Sequence, residues 1–221
     1  MKRTAILFTA ILLSLAGCTS GRQDTPRSGD LVFVGLPMDY GLERGSMSEA
    51  ISAATSDSTE LNLIHVAILE IDKDSTWIID ATIKHGVDRH PLDTFFRDFT
   101  LRDGSLPTFK IMRPQVSAKQ AEQFVQNAKK YLGQPYDVSF LPDNGAMYCS
   151  ELVYNSYITP GGAHLFSEAP MNFLDKDGNM PPYWTRLFER IGQQVPQGIP
   201  GTNPQKMATE KTLSPVEATL K

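Results

Sequence analysis

Between Gly29 and Pro114 the apolar residues come in short runs bounded by glycine, proline or charged turns, a pattern that predicts strands. GDLVFVG (Gly29 to Gly35) is the first such run. LIHVAILEI (Leu63 to Ile71) is the second, continuous enough to be buried on both faces. The turn DKDS (Asp72 to Ser75) leads into TWIIDATI (Thr76 to Ile83), so these two runs form a hairpin. TFKIMRP is a further strand, stopped by Pro114. In GVDRHPLDTFFRDF a strand end breaks at Pro91 and gives way to a short helix.

A longer period predicts the other helices. Ser46 followed by Glu49 is a capping-box start for SMSEAISAAT. Ser117 caps SAKQAEQFVQNAKKYLG, in which Ala121, Phe124, Val125, Ala128 and Leu132 form one apolar face before Gly133 ends the run. YCSELVYNSY and YWTRLFERIG are two more helices. From Gln193 onward Pro, Gly and polar residues dominate, so residues 196–221 are expected to be an extended tail. Strands and helices mix without repeated βαβ units. The expected class is α+β, a mostly antiparallel sheet with helices packed on it, occupying residues 29–195.

The front of the chain has a different pattern. Lys2 and Arg3 precede the apolar run AILFTAILLSLAG, which is too short for a confident membrane span and has the build of a signal peptide over residues 1–17. The run ends in LAGC, which resembles the lipobox of bacterial lipoproteins. The resemblance implies cleavage before Cys18, acylation of Cys18, and a lipid anchor in the bacterial cell envelope, on a membrane outside the cytoplasm. Residues 19–28 then read as a polar tether.

Composition narrows the remaining choices. With 41% hydrophobic and 21% charged residues among 221, the chain is ordinary for a globular domain. A formal net charge of −4 and the lack of a basic stripe with interleaved aromatics argue against a nucleic-acid partner. Of two cysteines one is assigned to lipid, which leaves no disulfide framework and no Cys-based zinc site. In HGVDRH, alternation would put His85 and His90 on opposite faces, so this stretch reads as a solvated loop and no metal is expected. LDKDGNM lacks the later ligands of a calcium loop. No cofactor is expected. The aromatic residues of NFLDKDGNMPPYWTRLF could line a substrate groove, with a core role the simpler account of Trp184 and Phe188.

The second cysteine, Cys149, opens the helical run that continues through Leu152, Val153 and Tyr157. Unpaired backbone N–H groups in a first helical turn favour a thiolate and can receive an oxyanion. On position alone, a small buried residue at the start of a core helix is the slightly better account of Cys149. A nearby base tips the balance. His65 is a costly choice in an otherwise apolar strand. With the hairpin turn centred between Lys73 and Asp74, Ile71 pairs with Thr76, and His65 and Asp80 become diagonal neighbours on one face. Cys, His and an acid are the three roles of a thiol-nucleophile site. His85 is the alternative third member.

The succession GDLVF, HVAI, WIIDAT.KHGV, YLGQPYD and YCSELVYNSY resembles the YiiX/YebB-like branch of the NlpC-type, papain-like cysteine hydrolases. That branch is circularly permuted, with the His strand ahead of the Cys helix. The resemblance spans roughly Gly29 to Tyr157. It implies that Cys149 is the nucleophile, His65 the base and Asp80 the polar third residue, with Tyr136 close to the thiol. Tyr136 and Ser150 are the candidates for substrate or oxyanion contacts. Two departures stand out: Ile64 replaces a common Ser, and Asp80 replaces a common Glu. The expected activity is a membrane-anchored amidase or peptidase acting on cell-wall peptide or a similar small amide. The alternatives are a thiol acyltransferase or esterase on lipids, and a non-catalytic binding lipoprotein of the same fold.

Overall fold

The structure, a computed structural model, describes residues 25–38, 40–55 and 61–220. The predicted leader, Cys18 and most of the tether lie outside them. The end of the expected tether is docked on the domain: Arg27 donates its backbone N–H to Asp30 at 2.9 Å, and the Ser28 hydroxyl donates to the Ile71 carbonyl at 3.2 Å.

The chain runs β1 (Leu31–Pro37), α1 (Met47–Thr55), β2 (Leu61–Asp72), β3 (Ser75–Thr82), β4 (Gly86–Pro91), α2 (Leu92–Phe99), β5 (Thr108–Pro114), α3 (Ala118–Lys129), α4 (Cys149–Ser156), β6 (Ala169–Pro170), α5 (Pro182–Ile191), β7 (Pro200–Gly201), α6 (Pro204–Met207) and β8 (Leu213–Pro215). Six strands form one sheet in the order β4-β3-β2-β1-β5-β8, with every neighbour antiparallel. The α+β expectation holds.

Each face of the sheet carries its own core. Leu31, Phe33, Val66, Ile68 and Ile79 pack with α3 and α4, whose Phe124, Val125, Leu152 and Val153 are fully buried. Val32, Val34, Ala67, Leu69 and Ile78 pack with Leu92 and Phe95 of α2. A third cluster joins α1 and α5 through Ala50, Phe140, Phe173 and Trp184. At about 25 cal/mol per Å2 of apolar surface, such fully buried Leu, Ile and Phe side chains contribute roughly 1.5–3 kcal/mol each.

The β2–β3 hairpin has the expected register, with Ile71 opposite Thr76 and Ile68 opposite Ile79. Lys73 takes a left-handed φ of 54° at its turn. A β-bulge that periodicity does not reveal lies in β2: Val34 pairs with His65 but Gly35 pairs with Leu63, leaving Ile64 over. Leu63 and Val66 therefore reach the same core although they are three residues apart. Bulges re-aim side chains and turn up beside active sites.

Three expectations need correction. HGVDRH is not a solvated loop but enters β4, and His90 is only 6% exposed. Gly86 starts that strand at φ +68°, where an added Cβ would lie 2.3 Å from the Gln134 carbonyl oxygen that accepts from Val87. Leu132 falls beyond α3 and is 40% exposed. The segment expected to be an extended tail is folded over residues 196–220: β8 pairs with β5, and Leu213, Val216 and Leu220 are buried. Gln205 in α6 accepts from the Leu63 backbone at 2.9 Å, tying this segment to the bulged end of β2.

Candidate active site

Strand, hairpin and helix bring the three candidate residues together. β2 supplies His65, β3 supplies Asp80 across the hairpin, and α4 supplies Cys149 from its first position. His65 Nε2 and Asp80 Oδ2 are 2.7 Å apart, with Asp80 1% and His65 6% exposed. Cys149 lines the same cleft as His65, and its charge acts on the ring. With Nε2 committed to Asp80, Nδ1 is the nitrogen left for the thiol. His85, the alternative third residue, bonds instead to Asp98 at 3.2 Å.

Burial alone would push the His65 imidazole down. The Cys149 charge, then the Asp80 hydrogen bond, outweigh it and push the ring up to about 10. An imidazole set between a carboxylate and a thiol is an arrangement that can take up a thiol proton. Phe99 of α2 packs against the ring with centroids 4.8 Å apart, which fixes its plane.

The PYD segment is braced against the start of α4. Asp137 donates its backbone N–H to the Met147 carbonyl at 3.1 Å, and Met147 donates to Pro135 at 3.0 Å. The Asp137 carboxylate accepts from Ser139 N at 2.7 Å, Ser139 Oγ at 2.6 Å and Leu141 N at 2.9 Å. This turn sets Tyr136 beside the thiol: burial first, then the Cys149 charge, push its phenol well above the usual range. The Tyr136 hydroxyl lies 3.9 Å from Met47 Sδ. Ser150, next to the thiol, is fully buried and its hydroxyl has no partner.

Two spaces meet at Cys149. An open cleft of about 420 Å3 is lined by His65, Tyr136 and Cys149, with Lys84 and Asp98 among its other lining residues. That volume falls within the usual range for small-molecule sites, about 300–1,000 Å3. A narrower apolar pocket of about 50 Å3 lies on another side of the thiol, walled by Phe140, Met171, Phe173 and Trp184. The aromatic residues near α5 all serve the core, as expected for Trp184 and Phe188, and Phe173 and Trp184 also wall this pocket.

Sequence reasoning missed several contributors. Thr202, Asn203 and Pro204 complete the apolar pocket from the segment expected to be a tail. The Tyr148 hydroxyl accepts from Thr202 N at 3.2 Å and pins that segment to the cap of α4. Glu151, one turn into α4, is 8% exposed; burial, reinforced by Asp137, pushes its carboxyl up to about 8. The capping-box spacing of YCSE was the one available hint, since Glu151 accepts from Tyr148 N at 3.4 Å.

Over 208 residues the chain is 26% identical to the uncharacterized protein YiiX of Escherichia coli K12, covering 93% of each chain. A solved structure described as the metalloprotein YiiX from Escherichia coli O157:H7 matches with a TM-score of 0.63 at 27% identity, over 86% of this chain and 96% of that one. Residues 25–217 match the family described as permuted papain-like amidase enzymes, YaeF/YiiX. That match covers the sheet, both sides of the cleft and the C-terminal segment. The chain therefore belongs to the C92 family of permuted papain-like cysteine amidases, the YaeF/YiiX type.

Proposed function

We propose that this protein cleaves a small amide, such as a cell-wall peptide, with Cys149 as nucleophile, His65 as base and Asp80 as the acid that orients it. One observation carries the reading: the buried His65 imidazole, held by Asp80 at 2.7 Å, shares an open cleft with the Cys149 thiol, whose charge acts on it. Family membership supplies the amidase chemistry; the residue roles and the substrate are our reading.

His65 takes the Cys149 proton, and the thiolate attacks the substrate carbonyl. A C–S bond forms and the carbonyl electron pair moves to oxygen. The oxyanion lies near the first turn of α4, where backbone N–H groups lack helical acceptors, and Tyr136 offers a hydroxyl from the same wall. As the C–N bond breaks, His65 returns the proton to the leaving amine. Water, deprotonated by His65, then attacks the thioester and releases the acid and the free thiol. Asp80 holds the ring at Nε2 throughout.

The related YiiX structure is described as that of a metalloprotein. Among the described residues here, no three His, Cys, Asp or Glu side chains form a set that could hold a metal ion. His65 stands between Cys149 and Asp80 in a row, so the donors do not converge on one point, and this site does not fit a bound metal.

The lipid-acyl reading is less well supported. The apolar pocket beside Cys149 offers about 50 Å3. At about 10–15 Å3 for each water-sized occupant, that accepts a short side chain and not a long acyl chain. Anchoring through Cys18 remains part of the proposal. From Cys18 to Thr25 an extended chain spans at most about 25 Å, which would keep the domain close to a bilayer surface.

The test is amine release from a panel of peptides and small amides by the full-length protein and by Cys149→Ala. Turnover by the first alone, with matching circular dichroism, is the expected result. Cleavage of phospholipid esters with no amide cleavage would move the acyl-transfer reading to first place. Metabolic labelling with a fatty acid tests the anchor, which predicts label in the parent protein and none in Cys18→Ser.

A further inference from the structure

Behind Asp80 stands a second histidine that the steps above do not use. His90 lies on β4, which pairs with β3 so that His90 is opposite Ile78 and Asp88 opposite Asp80. His90 and Asp80 are therefore diagonal neighbours on one face, the same relation that joins Asp80 to His65. His90 Nδ1 is 3.9 Å from Asp80 Oδ1. The side chains form a row, Cys149, His65, Asp80, His90, that crosses from α4 through β2 and β3 to β4.

The polar atoms at the outer end of this row are unsatisfied. Asp80 spends Oδ2 on His65 and leaves Oδ1 buried without a partner. Both ring nitrogens of His90 are likewise buried without a partner. A buried donor and a buried acceptor that face each other unpaired each carry a desolvation cost, and that cost favours closing the gap of roughly 1 Å to an ordinary hydrogen bond. The groups around His90 allow this. Asp88 Oδ2 is 3.7 Å from the same Nδ1, but its side chain is 48% exposed and already solvated. The His85 ring is 6.3 Å away and bonded to Asp98. Phe95 of α2 stacks on His90 with centroids 6.4 Å apart, so the ring is held in plane beside the carboxylate.

We propose that His90 is a positioning residue: its Nδ1–H donates to Asp80 Oδ1, fixes the carboxylate in the plane that meets His65 Nε2, and so keeps the His65 imidazole aimed at Cys149. The proposal rests on the catalytic reading of Cys149, His65 and Asp80. A carboxylate held at both oxygens cannot swing away from His65, whereas one held at a single oxygen can. An aspartate is one methylene shorter than a glutamate, so its reach leaves little slack for such a swing.

The experiment measures iodoacetamide alkylation of Cys149, read on its own peptide by mass spectrometry so that Cys18 does not contribute. Rates are taken at pH 6 and pH 10 for the parent protein, His65→Ala, His90→Asn and His90→Phe. At pH 10 a thiol with an ordinary value of about 8.5 is ionised unaided, so the ratio of the two rates reports the imidazole's hold and not access to the cleft. His90→Phe keeps the ring packing and removes the donor; its ratio is expected to fall about 3–10-fold, the worth of one hydrogen bond. His90→Asn restores an N–H near Nδ1 and is expected to stay within about 2-fold of the parent. A parent-like ratio in His90→Phe overturns the proposal, as does an equal loss in His90→Asn and His90→Phe, which would make His90 a packing residue only. An unchanged ratio in His65→Ala would overturn the catalytic reading itself, and this proposal with it, and is distinguishable because it appears in a different variant.

Discussion

Two of the protein's histidine–aspartate pairs lie close in sequence and opposite in setting. His65 and Asp80 meet at 2.7 Å with side chains 8% and 1% exposed. His85 and Asp98 meet at 3.2 Å with side chains 31% and 17% exposed, and Lys84 shares Asp98 at 2.8 Å. In the inner pair the base is squeezed between Asp80 and a thiol, and the Cys149 charge, working against burial, pushes the imidazole up to about 10. In the outer pair it is the acid that shifts: the Lys84 hydrogen bond, then that of His85, hold the Asp98 carboxyl below its usual range. The same two residue types thus do different work. In the proposed mechanism the buried pair, with Cys149 as its neighbour, handles the proton, whereas the wet pair with a lysine ties a turn to a helix.

The largest expected difference between the pairs is in thiol reactivity. At pH 6 a thiol with an ordinary value near 8.5 is only about 0.3% thiolate. If His65 holds the thiolate, His65→Ala should slow alkylation of Cys149 at pH 6 by about 10–100-fold. Asp80→Ala should cost less, about 3–10-fold, because it removes one hydrogen bond to the base and leaves the base in place. His85→Ala should stay within about 2-fold of the parent protein. Equal slowing in His65→Ala and His85→Ala would erase the distinction between the pairs.

How much of this was legible in the sequence follows the same line between local and tertiary causes. The hairpin could be read because a two-residue turn fixes parity, and parity alone put Asp80 beside His65. The caps and apolar face of α3 were equally local, and Ser117 accepts from Gln120 N as expected. Parity failed at Gly86. His85 belongs to the turn before β4, so counting alternate faces from His85 to His90 crossed a bend and hid the buried position of His90. The bulge at Ile64 left no periodic trace, because both faces of β2 are apolar. The C-terminal segment was misjudged for another reason: Pro, Gly and polar residues report a lack of regular period, not a lack of burial. Only the docking of α6 against β2 and of β8 against β5 shows where that segment goes.

Stability against pH should separate the pairs by sign. His65 is raised, so its contribution is fully present below about 6.5, the ordinary imidazole value, and is lost as pH climbs through about 10. Removing one partner of a buried pair costs about 3–5 kcal/mol, or roughly 6–20 °C in melting temperature for a domain of this size. The gap between the parent protein and His65→Gln should therefore be widest near pH 6 and narrow steadily toward pH 10. A gap that widens with rising pH would mean that His65 is buried neutral, and the row from Cys149 to Asp80 would have to be redrawn.

The outer pair should show the opposite sign and a smaller size. Asp98 is lowered, so its contribution is present above the ordinary aspartate value near 4 and disappears as pH falls below it. Lys84 is 64% exposed, which places its bond to Asp98 among surface pairs worth about 0–1 kcal/mol. Asp98→Asn should lower the melting temperature at pH 7 by no more than about 2–4 °C. Two conditions should each abolish that difference: acid strong enough to protonate Asp98, which lies below the ordinary aspartate value, and about 1 M salt, where the screening length shrinks to about 3 Å. The inner pair, buried under α2, should keep its effect in the same salt. A salt-resistant loss in Asp98→Asn would show that Asp98 holds the start of β4 through something other than charge, most directly by ordering the turn at His85 that carries the strand toward His90.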